Sequence, residues 1–258
     1  MNVQKPLYLF FDLDGTVLID GKLPGQHLDA MRRAQQMGHK LILNTGRSRG
    51  GYARATQASV IPWDGMCFSA CDINYQGNNI SLEIIGEKDF YIWLDYCMEH
   101  RIRFAYCGRE FLEFLDFSAF SRPMTEQQKQ SAREHAAELY RQNPLTNFSV
   151  YAVIPPEQIP SSNLTPIQLS TYADVFPKGC NKGKVILDFC HATGATLEQC
   201  VCFGDSANDI DMFRVCPVSA CMKGAPPELS ALATYRAKSD YGVAEALIHL
   251  LNFSLSTE

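Results

Sequence analysis

The chain has 258 residues, 46% of them hydrophobic and 20% charged, and its 23 basic and 28 acidic residues give a net charge of −5. This composition can fill a large apolar core and excludes a disordered chain. An acidic balance without a long run of Lys and Arg argues against nucleic acid as a partner.

The sequence has no feature of a membrane or secreted protein. Its longest apolar runs, such as residues 7–11, are far shorter than the ~20 residues of a membrane span. The first ten residues lack the long apolar stretch of a signal peptide. We therefore expect a cytoplasmic protein that does not contact the membrane, with its ten cysteines as free thiols. Neither the cysteines nor the six His residues have the spacing of a zinc site.

In the N-terminal third, apolar and amphipathic stretches alternate in the order strand, helix, strand and helix. They cover residues 7–11, 28–37, 40–43 and a helix starting near residue 48. This alternation predicts parallel strands covered by helices on both faces.

The middle of the chain has a different pattern, with more frequent strands. Strands are predicted at residues 66–68, 73–75, 79–84, 102–106, 111–115 and 148–154, with a turn at 76–79. One helix is predicted from residue 87, where Phe90 and Trp93 follow helical spacing, and another over residues 126–141. The Pro-rich residues 155–166 are expected to form a loop with at most one helical turn.

The C-terminal third returns to the alternating pattern. Helices are predicted at residues 184–190, 209–215 and 243–251, and strands at 199–203 and 217–221. We therefore expect an α/β fold with a Rossmann-like doubly wound parallel sheet, interrupted by an inserted α+β domain of about 95 residues. The predicted boundaries are 1–84 and 178–258 for the core domain and 85–177 for the inserted domain.

Polar residues that could bind a ligand or take part in a reaction occur at four places in the sequence. We expect all four at the carboxyl ends of strands in one sheet, where open α/β sheets bind ligands. Asp12 and Asp14 follow the first strand, and Thr45 and the adjacent glycine follow the second. Lys182 lies where a helix begins and can neutralise phosphate charge. The segment 204–209 supplies carboxylate and amide oxygens, which suit Mg²⁺.

Each of these four segments also has a plainer interpretation. Asp, Gly and Thr are common turn residues, Thr, Ser and Asn are common helix caps, and loop lysines are usually solvated. The occurrence of all four in this order favours a phosphate and metal site over four unrelated loops.

Together, the four segments resemble the motifs of the haloacid dehalogenase superfamily of phosphotransferases. Segment 12–16 is similar to the first motif, 45–47 to the second, Lys182 to the third and 204–209 to the fourth. The insertion resembles a C2 cap in its position, and the C-terminal tail resembles the Cof-type phosphatase branch. Two segments, 69–71 and 222–225, depart from the Asn-Gly-Ala and Met-Gly-Asn-Ala sequences frequent in that branch.

The resemblance implies a role for each site residue. Asp12 would be the nucleophile that forms an aspartyl phosphate, and Asp14 would be the acid and base, in a sheltered position. Mg²⁺ would be bound by the Asp12 carboxylate, the Asp14 main-chain carbonyl and the Asp205 carboxylate. The phosphate-binding residues would be Leu13, through its amide, with Thr45, Gly46, Lys182 and Asn208. Arg47 and Asp209 would be supporting residues.

The implied activity is a Mg²⁺-dependent phosphatase whose partner is a small phosphorylated metabolite, with sugar phosphates as first choice. In the cap, Arg103, Tyr106, Arg109 and Glu113 are candidates for contact with the substrate, although solvated positions on a sheet are the more ordinary explanation.

Two alternatives remain open from the sequence: a phosphosugar mutase of the same superfamily, and a protein that binds a phosphometabolite without catalysis. A thiol-based redox function is disfavoured because the chain has no Cys-x-x-Cys pair.

Overall fold

The structure is a computed structural model that describes residues 5–54 and 56–255. The described residues divide into two compact units. The first, which we call the core unit, comprises residues 5–46, 56–81 and 181–255, and the second, the inserted unit, comprises 47–54 and 82–180. The limits of the insertion differ by three residues from the predicted ones, 81 against 84 and 180 against 177.

The first sheet has eight strands in the order β13-β12-β11-β1-β2-β3-β4-β5. They are β1 (Tyr8–Phe11), β2 (Lys40–Asn44), β3 (Gly65–Phe68), β4 (Asp72–Tyr75), β5 (Asn78–Leu82), β11 (Cys200–Gly204), β12 (Val218–Cys221) and β13 (Tyr235–Arg236). β1 lies between β2 and β11 and is parallel to both, and the parallel pairing continues to β3 on one side and to β13 on the other. β4 is antiparallel to β3. The chain reverses its winding direction at β1, so the predicted doubly wound α/β fold is confirmed.

The central strand β1 is apolar on both faces because both faces are covered. Phe11 stacks on Phe203 with 4.4 Å between ring centroids, and Phe10 contacts Phe189 edge to face at 5.3 Å. The helices of the core unit are α1 (Gly25–Gln36), α5 (Lys182–Thr193), α6 (Ile210–Val215), α7 (Pro227–Leu232) and α8 (Gly242–Leu251). α1 packs against α8, and α5 packs against α6.

The inserted unit contains a five-stranded antiparallel sheet in the order β7-β6-β8-β10-β9. Its elements are α2 (Arg49–Ala53), α3 (Glu87–His100), β6 (Arg103–Gly108), β7 (Leu112–Asp116), α4 (Glu126–Gln142), β8 (Leu145–Val150), β9 (Leu164–Gln168) and β10 (Ala173–Pro177). Its apolar core joins α3 to one face of the sheet, where Phe148 contacts both Trp93 and Phe104. Alternate side chains of β6 and β8 supply this face.

Segment 47–54 belongs to the inserted unit, although we expected it within residues 1–84 of the core. Its helix α2 packs against β6, and the Arg54 guanidinium donates a hydrogen bond to the Leu112 carbonyl at 3.2 Å. Gly50 permits this packing, because a Cβ atom there would lie 2.6 Å from the Phe111 backbone.

Two predictions for the inserted unit were wrong. The strand predicted at 148–154 is β8, which begins at Leu145 and ends at Val150, where the Ala152 amide turns back to the Val150 carbonyl. The loop predicted over 155–166 is a strand from Leu164 onward, after a single helical turn at Pro156–Gln158. β9 is an edge strand, a position in a sheet that tolerates a proline such as Pro166.

The turn between β3 and β4 contains one of the two segments, 69–71, that depart from the sequences frequent in the Cof-type branch. Ser69 and Ala70 both have φ near +53°, the left-handed conformation that Asn and Gly adopt at lower cost. The chain therefore forms this turn with residues that are less suited to it than Asn and Gly.

The ten cysteines all lie among the described residues, and none of them forms a disulfide there. Within the described residues, none of the helices combines the length and the apolarity that a membrane crossing requires.

Candidate active site

The candidate site forms where β1 ends beside its two parallel neighbours. Phe11 is in register with Leu43 of β2 and Phe203 of β11, so the next residue, Asp12, comes level with the ends of both strands. The Asp12 amide continues the ladder by donating to the Phe203 carbonyl at 3.0 Å. Asp12 is buried, with only 4% of the residue's surface exposed. A buried carboxylate at the switch point of an open α/β sheet occupies the position where such sheets bind ligands.

Lys182 is the only cation that the structure brings to the carboxylates of Asp12 and Asp209 among the described residues. Its ammonium group lies 2.5 Å from Asp12 Oδ1 and 2.6 Å from Asp209 Oδ1, and it donates to Asn208 Oδ1 at 3.2 Å. The lysine side chain is itself buried. Burial alone would lower the pKa of Lys182, but the Asp12 and Asp209 carboxylates outweigh burial and raise it, so the ammonium form persists.

Asp209 holds the loop after β11 together. Its Oδ2 accepts hydrogen bonds from the Asp205 amide at 2.9 Å and the Ser206 amide at 3.0 Å, while its Oδ1 accepts from Lys182. Because both oxygens already have hydrogen-bond partners, this fully buried residue acts as a support for its neighbours. The same loop places Asn208, whose Oδ1 also accepts from the Ser206 hydroxyl at 2.9 Å.

Asp205 is fixed by the segment that follows β1. Its Oδ1 accepts a hydrogen bond from the Thr16 hydroxyl at 2.9 Å. Gly15 has φ +85°, and a Cβ atom at this position would lie 2.3 Å from Asp205 Oδ2. Glycine is therefore required twice over, by the left-handed backbone and by the close approach of the carboxylate.

The charges of this cluster are not balanced by protein groups alone. Asp12, Asp205 and Asp209 each offer an oxygen within 4.8 Å of the others, and the one positive charge of Lys182 against three negative charges leaves −2. Burial raises the pKa of Asp12 well above its usual value; Lys182 opposes this rise and Asp209 adds to it. Burial and the Asp209 charge also raise the pKa of Asp205. A divalent cation would compensate the remaining charge, and hard oxygen ligands of this kind suit Mg²⁺.

The residues next to Asp12 differ in exposure. Leu13 is fully buried, and its carbonyl accepts from the Leu18 amide at 2.8 Å. The Asp14 side chain is exposed, so the expectation of a sheltered acid and base was wrong for this structure. The reason is local: the chain leaves the sheet after β1 and turns outward at Gly15.

The second predicted segment is divided between the two units. Thr45 is buried just beyond β2, and its amide donates to the Cys67 carbonyl at 3.0 Å, which fixes the approach to Gly46. Arg47 belongs to the inserted unit, where its guanidinium donates to the Gly51 carbonyl at 3.2 Å. The structure therefore gives Arg47 a role in holding α2.

The predicted position of Lys182 at the end of a strand of the first sheet was wrong. Lys182 does not follow a strand of the first sheet; it is the first residue of α5, and the preceding strand β10 belongs to the other sheet. It reaches Asp12 because α5 begins beside the end of β2. There the Asn44 side-chain amide donates to the Lys182 carbonyl at 3.0 Å.

Two positioning residues, Asn44 and Thr16, were not predicted from the sequence. Asn44 is fully buried at the end of the apolar strand β2, and a polar residue at that place was an available signal. Thr16 was part of the first motif but received no role of its own. Both are buried and hydrogen-bonded to a residue of the predicted site.

The four cap candidates have different environments within the inserted unit. Tyr106 is fully buried among the core residues and donates its hydroxyl hydrogen to the Asn143 carbonyl at 2.6 Å, so neither explanation offered for it, contact with substrate or a solvated position on the sheet, was right. Arg103, on the opposite face of β6, lies over the Phe114 ring at 4.0 Å. Glu113 pairs with His135 at 2.6 Å, and Arg109 lies 3.9 Å from its neighbour Glu110.

Comparison with curated proteins finds relatives over part of the chain. The HMP-PP phosphatase of Enterobacter sp. (strain 638) is 33% identical over 78 residues, which are 30% of this chain and 29% of that protein. The HMP-PP phosphatase of Yersinia enterocolitica is 34% identical over 83 residues, 31% of this chain and 30% of the relative. The aligned region thus spans less than a third of each of these relatives.

Solved structures share the complete fold. A phosphatase of the haloacid dehalogenase superfamily from Bacteroides thetaiotaomicron has a TM-score of 0.78 at 20% identity and covers 96% of both chains. A sugar phosphatase of subclass IIB in that superfamily has a TM-score of 0.74 at 20% identity, over 96% of this chain and 100% of its own.

A sequence profile of haloacid dehalogenase-like hydrolases matches residues 9–247, a span that includes all four predicted motifs. The resemblance inferred from those motifs is confirmed, and the chain belongs to the haloacid dehalogenase-like hydrolase family.

Proposed function

We propose that this chain is a Mg²⁺-dependent phosphatase that hydrolyses small phosphorylated metabolites, with sugar phosphates as first choice, through an aspartyl phosphate on Asp12. The observation that carries the proposal is the contact of a buried lysine with a buried aspartate at the end of the central strand, beside Asp205. Phosphoryl transfer requires a nucleophile and positive charge around the transferred oxygens, and this cluster offers both.

Each residue of the site has its own role in the proposed reaction. The Asp12 carboxylate attacks phosphorus and releases the alcohol, which splits one difficult hydrolysis into two easier steps. Asp14, whose side chain is exposed, protonates the departing oxygen and then accepts a proton from the attacking water. Lys182, fixed by Asp209 and Asn44, keeps a positive charge at the nucleophile, and Asn208 presents its side-chain amide beside it. The Leu13 amide, Thr45 and Gly46 complete the phosphate-binding groups.

The acidic cluster supports a magnesium site. Asp12 and Asp205 each keep one carboxylate oxygen beyond those used by Lys182 and Thr16, and the main-chain carbonyl of Asp14 would complete the protein ligands. Bound there, Mg²⁺ would supply the positive charge that lets two carboxylates stand beside an anionic phosphate ester. Thr16 and Gly15 orient Asp205, while Asp209, whose oxygens already have partners, supports the loop.

Two observations guide the choice of substrate. One structural neighbour is described as a sugar phosphatase, and the curated relatives are described as HMP-PP phosphatases. A panel should therefore contain sugar phosphates, HMP-PP and other phosphorylated metabolites, incubated with Mg²⁺ and scored for released phosphate. Preference for a sugar phosphate supports the first choice, whereas preference for HMP-PP moves the assignment to that substrate while keeping the same site.

The decisive variant is Asp12→Asn, with Asp29→Asn on the exposed side of α1 as the matched control. We expect Asp12→Asn to fold and to lose almost all turnover, because an amide is neither a comparable nucleophile nor an anionic ligand. The control should keep the parent's rate. Chelation of divalent ions should stop hydrolysis and added Mg²⁺ should restore it. Undiminished hydrolysis by Asp12→Asn, or in the presence of chelator, would refute this site.

The same assays separate the alternatives. A phosphosugar mutase would convert one sugar phosphate into its isomer with little free phosphate, so both products should be measured. A binding protein without catalysis would bind a phosphometabolite and release no phosphate with Mg²⁺ present.

A further inference from the structure

Two cysteines of the core unit lie in direct contact at the end of α5. The Sγ atoms of Cys190, near the C-terminus of α5, and Cys200, the first residue of β11, are 3.4 Å apart. A disulfide requires about 2.05 Å between the sulfurs, so a small side-chain adjustment would close the gap. Neither residue has a role in the proposed phosphatase site.

The two thiols have different environments. Cys190 is half-buried, whereas Cys200 is fully buried behind it. The hydrogen bond from Cys200 lowers the pKa of Cys190, although burial and the Glu198 carboxylate oppose this effect. The same contact, with burial, raises the pKa of Cys200, whose thiol also lies 3.5 Å from the Thr196 carbonyl. A half-buried thiol of lowered pKa, 3.4 Å from a buried second thiol, is the arrangement of a reactive cysteine with its resolving partner.

We propose that Cys190 and Cys200 form a reversible disulfide when the protein meets a hydroperoxide. The Cys190 thiolate attacks the terminal oxygen of the peroxide, which forms a sulfenic acid and releases water or alcohol after proton transfer. The Cys200 sulfur then attacks the Cys190 sulfur and expels the hydroxyl group as a second water molecule. Two thiols are oxidised, one peroxide is reduced, and a dithiol restores both thiols by exchange.

The other two cysteines of this region, Cys202 and Cys216, are less suited to react with a peroxide. Cys202 and Cys216 are both buried, and burial raises the pKa of Cys202 well above its usual value. Among the described residues, no three cysteine sulfurs lie within 4.8 Å of one another.

The disulfide would join the far ends of the two elements that carry the site. Cys190 lies eight residues after Lys182 along α5, about 12 Å away. Cys200 lies at the opposite end of β11 from Gly204 and the adjacent Asp205, about 13 Å away. The bond would therefore clamp α5 to β11 without touching the site residues, so we expect a higher midpoint of thermal unfolding in the oxidised form.

The test uses the full chain treated with a small excess of hydrogen peroxide. We expect a loss of two titratable thiols per chain, and peptide mass spectrometry should identify a Cys190–Cys200 link that a dithiol reverses. Thermal unfolding of the oxidised form should have a higher midpoint than that of the reduced form. An unchanged midpoint in fully oxidised protein would overturn the proposed clamp.

Matched variants decide which sulfurs react. Cys190→Ser should prevent the link, and because this side chain is half-exposed the variant should fold normally, as circular dichroism can verify. Cys180→Ser, a buried cysteine of the inserted unit, should leave the link intact. The proposal is overturned if Cys190 stays reduced, if it proceeds to sulfinic acid while Cys200 remains a thiol, or if the link joins Cys202 and Cys216 instead.

Discussion

The Thr16 hydroxyl donates a hydrogen bond to Asp205 Oδ1 at 2.9 Å, and this bond connects the segment after β1 to the loop after β11. Thr16 is fully buried, so its hydroxyl relies on a protein partner and not on water. The contact uses Asp205 Oδ1 and leaves Asp205 Oδ2 for the proposed metal ion.

Thr16→Val removes the hydroxyl and keeps the shape of the side chain. We expect the Mg²⁺ concentration for half-maximal activity to rise about tenfold, the equivalent of a hydrogen bond to a charged group worth about 1.5 kcal/mol. A magnesium titration of phosphatase activity measures the shift. Thr16→Ser, which keeps the hydroxyl, is the control and should remain close to the parent. Identical titrations for the Val variant and the parent would remove Thr16 from the site.

Gly15→Ala tests the close approach of Asp205. A Cβ atom at Gly15 would lie 2.3 Å from Asp205 Oδ2, so the carboxylate must move. A displacement of about 1 Å at a reacting centre can cost on the order of 100-fold in rate, and we expect a loss of that size in kcat.

Gly21→Ala is the matched control for Gly15→Ala. Gly21 has a similar backbone conformation, with φ +72° against +85°, but a Cβ atom there would meet nothing within 4 Å. Both variants carry the backbone cost of about 1–2 kcal/mol, while only Gly15→Ala collides with Asp205. Equal activities of the two variants would mean that backbone strain, and not the clash, determines the result.

Asp209→Asn tests the support of Lys182 and the loop. The amide group has one acceptor oxygen where the carboxylate has two, so either Lys182 or the Asp205 and Ser206 amides lose a partner. We expect a decrease of about 3 kcal/mol in the free energy of unfolding, typical of breaking a buried ion pair, together with a large loss of activity. Denaturant unfolding and phosphate release measure the two effects.

Asp211→Asn provides the comparison for Asp209→Asn. Asp211 lies two residues further along, in α6, and forms a partly exposed pair with Arg214. Exposed pairs contribute about 0–1 kcal/mol, so this variant should unfold like the parent. If both variants lose the same stability, the buried position of Asp209 is not the cause.

Asp174 of β10 should make the stability of the inserted unit depend on pH. Burial raises the pKa of Asp174 to about 6, and the hydrogen bond from the Ser149 hydroxyl only partly opposes this rise. The folded state therefore binds a proton more tightly than the unfolded state does. Its contribution to stability is fully present below pH ~4 and is lost as pH rises through about 6.

Asp174→Asn removes this titration and should leave the free energy of unfolding at pH 4.5 close to the parent's. At pH 7.5 the variant should be more stable, by about 2 kcal/mol after allowance for partial exposure. Urea unfolding of both proteins across this range measures the difference. Parallel pH profiles would show that Asp174 is not perturbed.

The doubly wound fold could be predicted because buried parallel strands such as β1 and β2 leave uninterrupted apolar runs between helices. The missed elements lack such a signal. β9 carries Pro166, and β13 has only two residues, Tyr235 and Arg236, whose pairing depends on β12. Tertiary contacts, and not local sequence, decide whether segments of this kind become strands.

The residues of the candidate site likewise divide into those that the sequence predicts and those that it does not. Asp12, Asp205 and Lys182 were found because charged residues at the ends of apolar segments are conspicuous. Their partners were harder to find: Asn44 and Lys182 are 138 residues apart, and Thr16 and Asp205 are 189 apart. Contacts of this range depend on strand order, which a single sequence specifies only loosely.

Pro166 has one further consequence for the chain in concentrated solution. β9 forms one edge of the antiparallel sheet, and the unpaired amide and carbonyl groups of an edge strand are a place where another molecule could add a strand. Pro166 lacks the amide hydrogen, and a proline on an edge strand protects the protein against edge-to-edge aggregation.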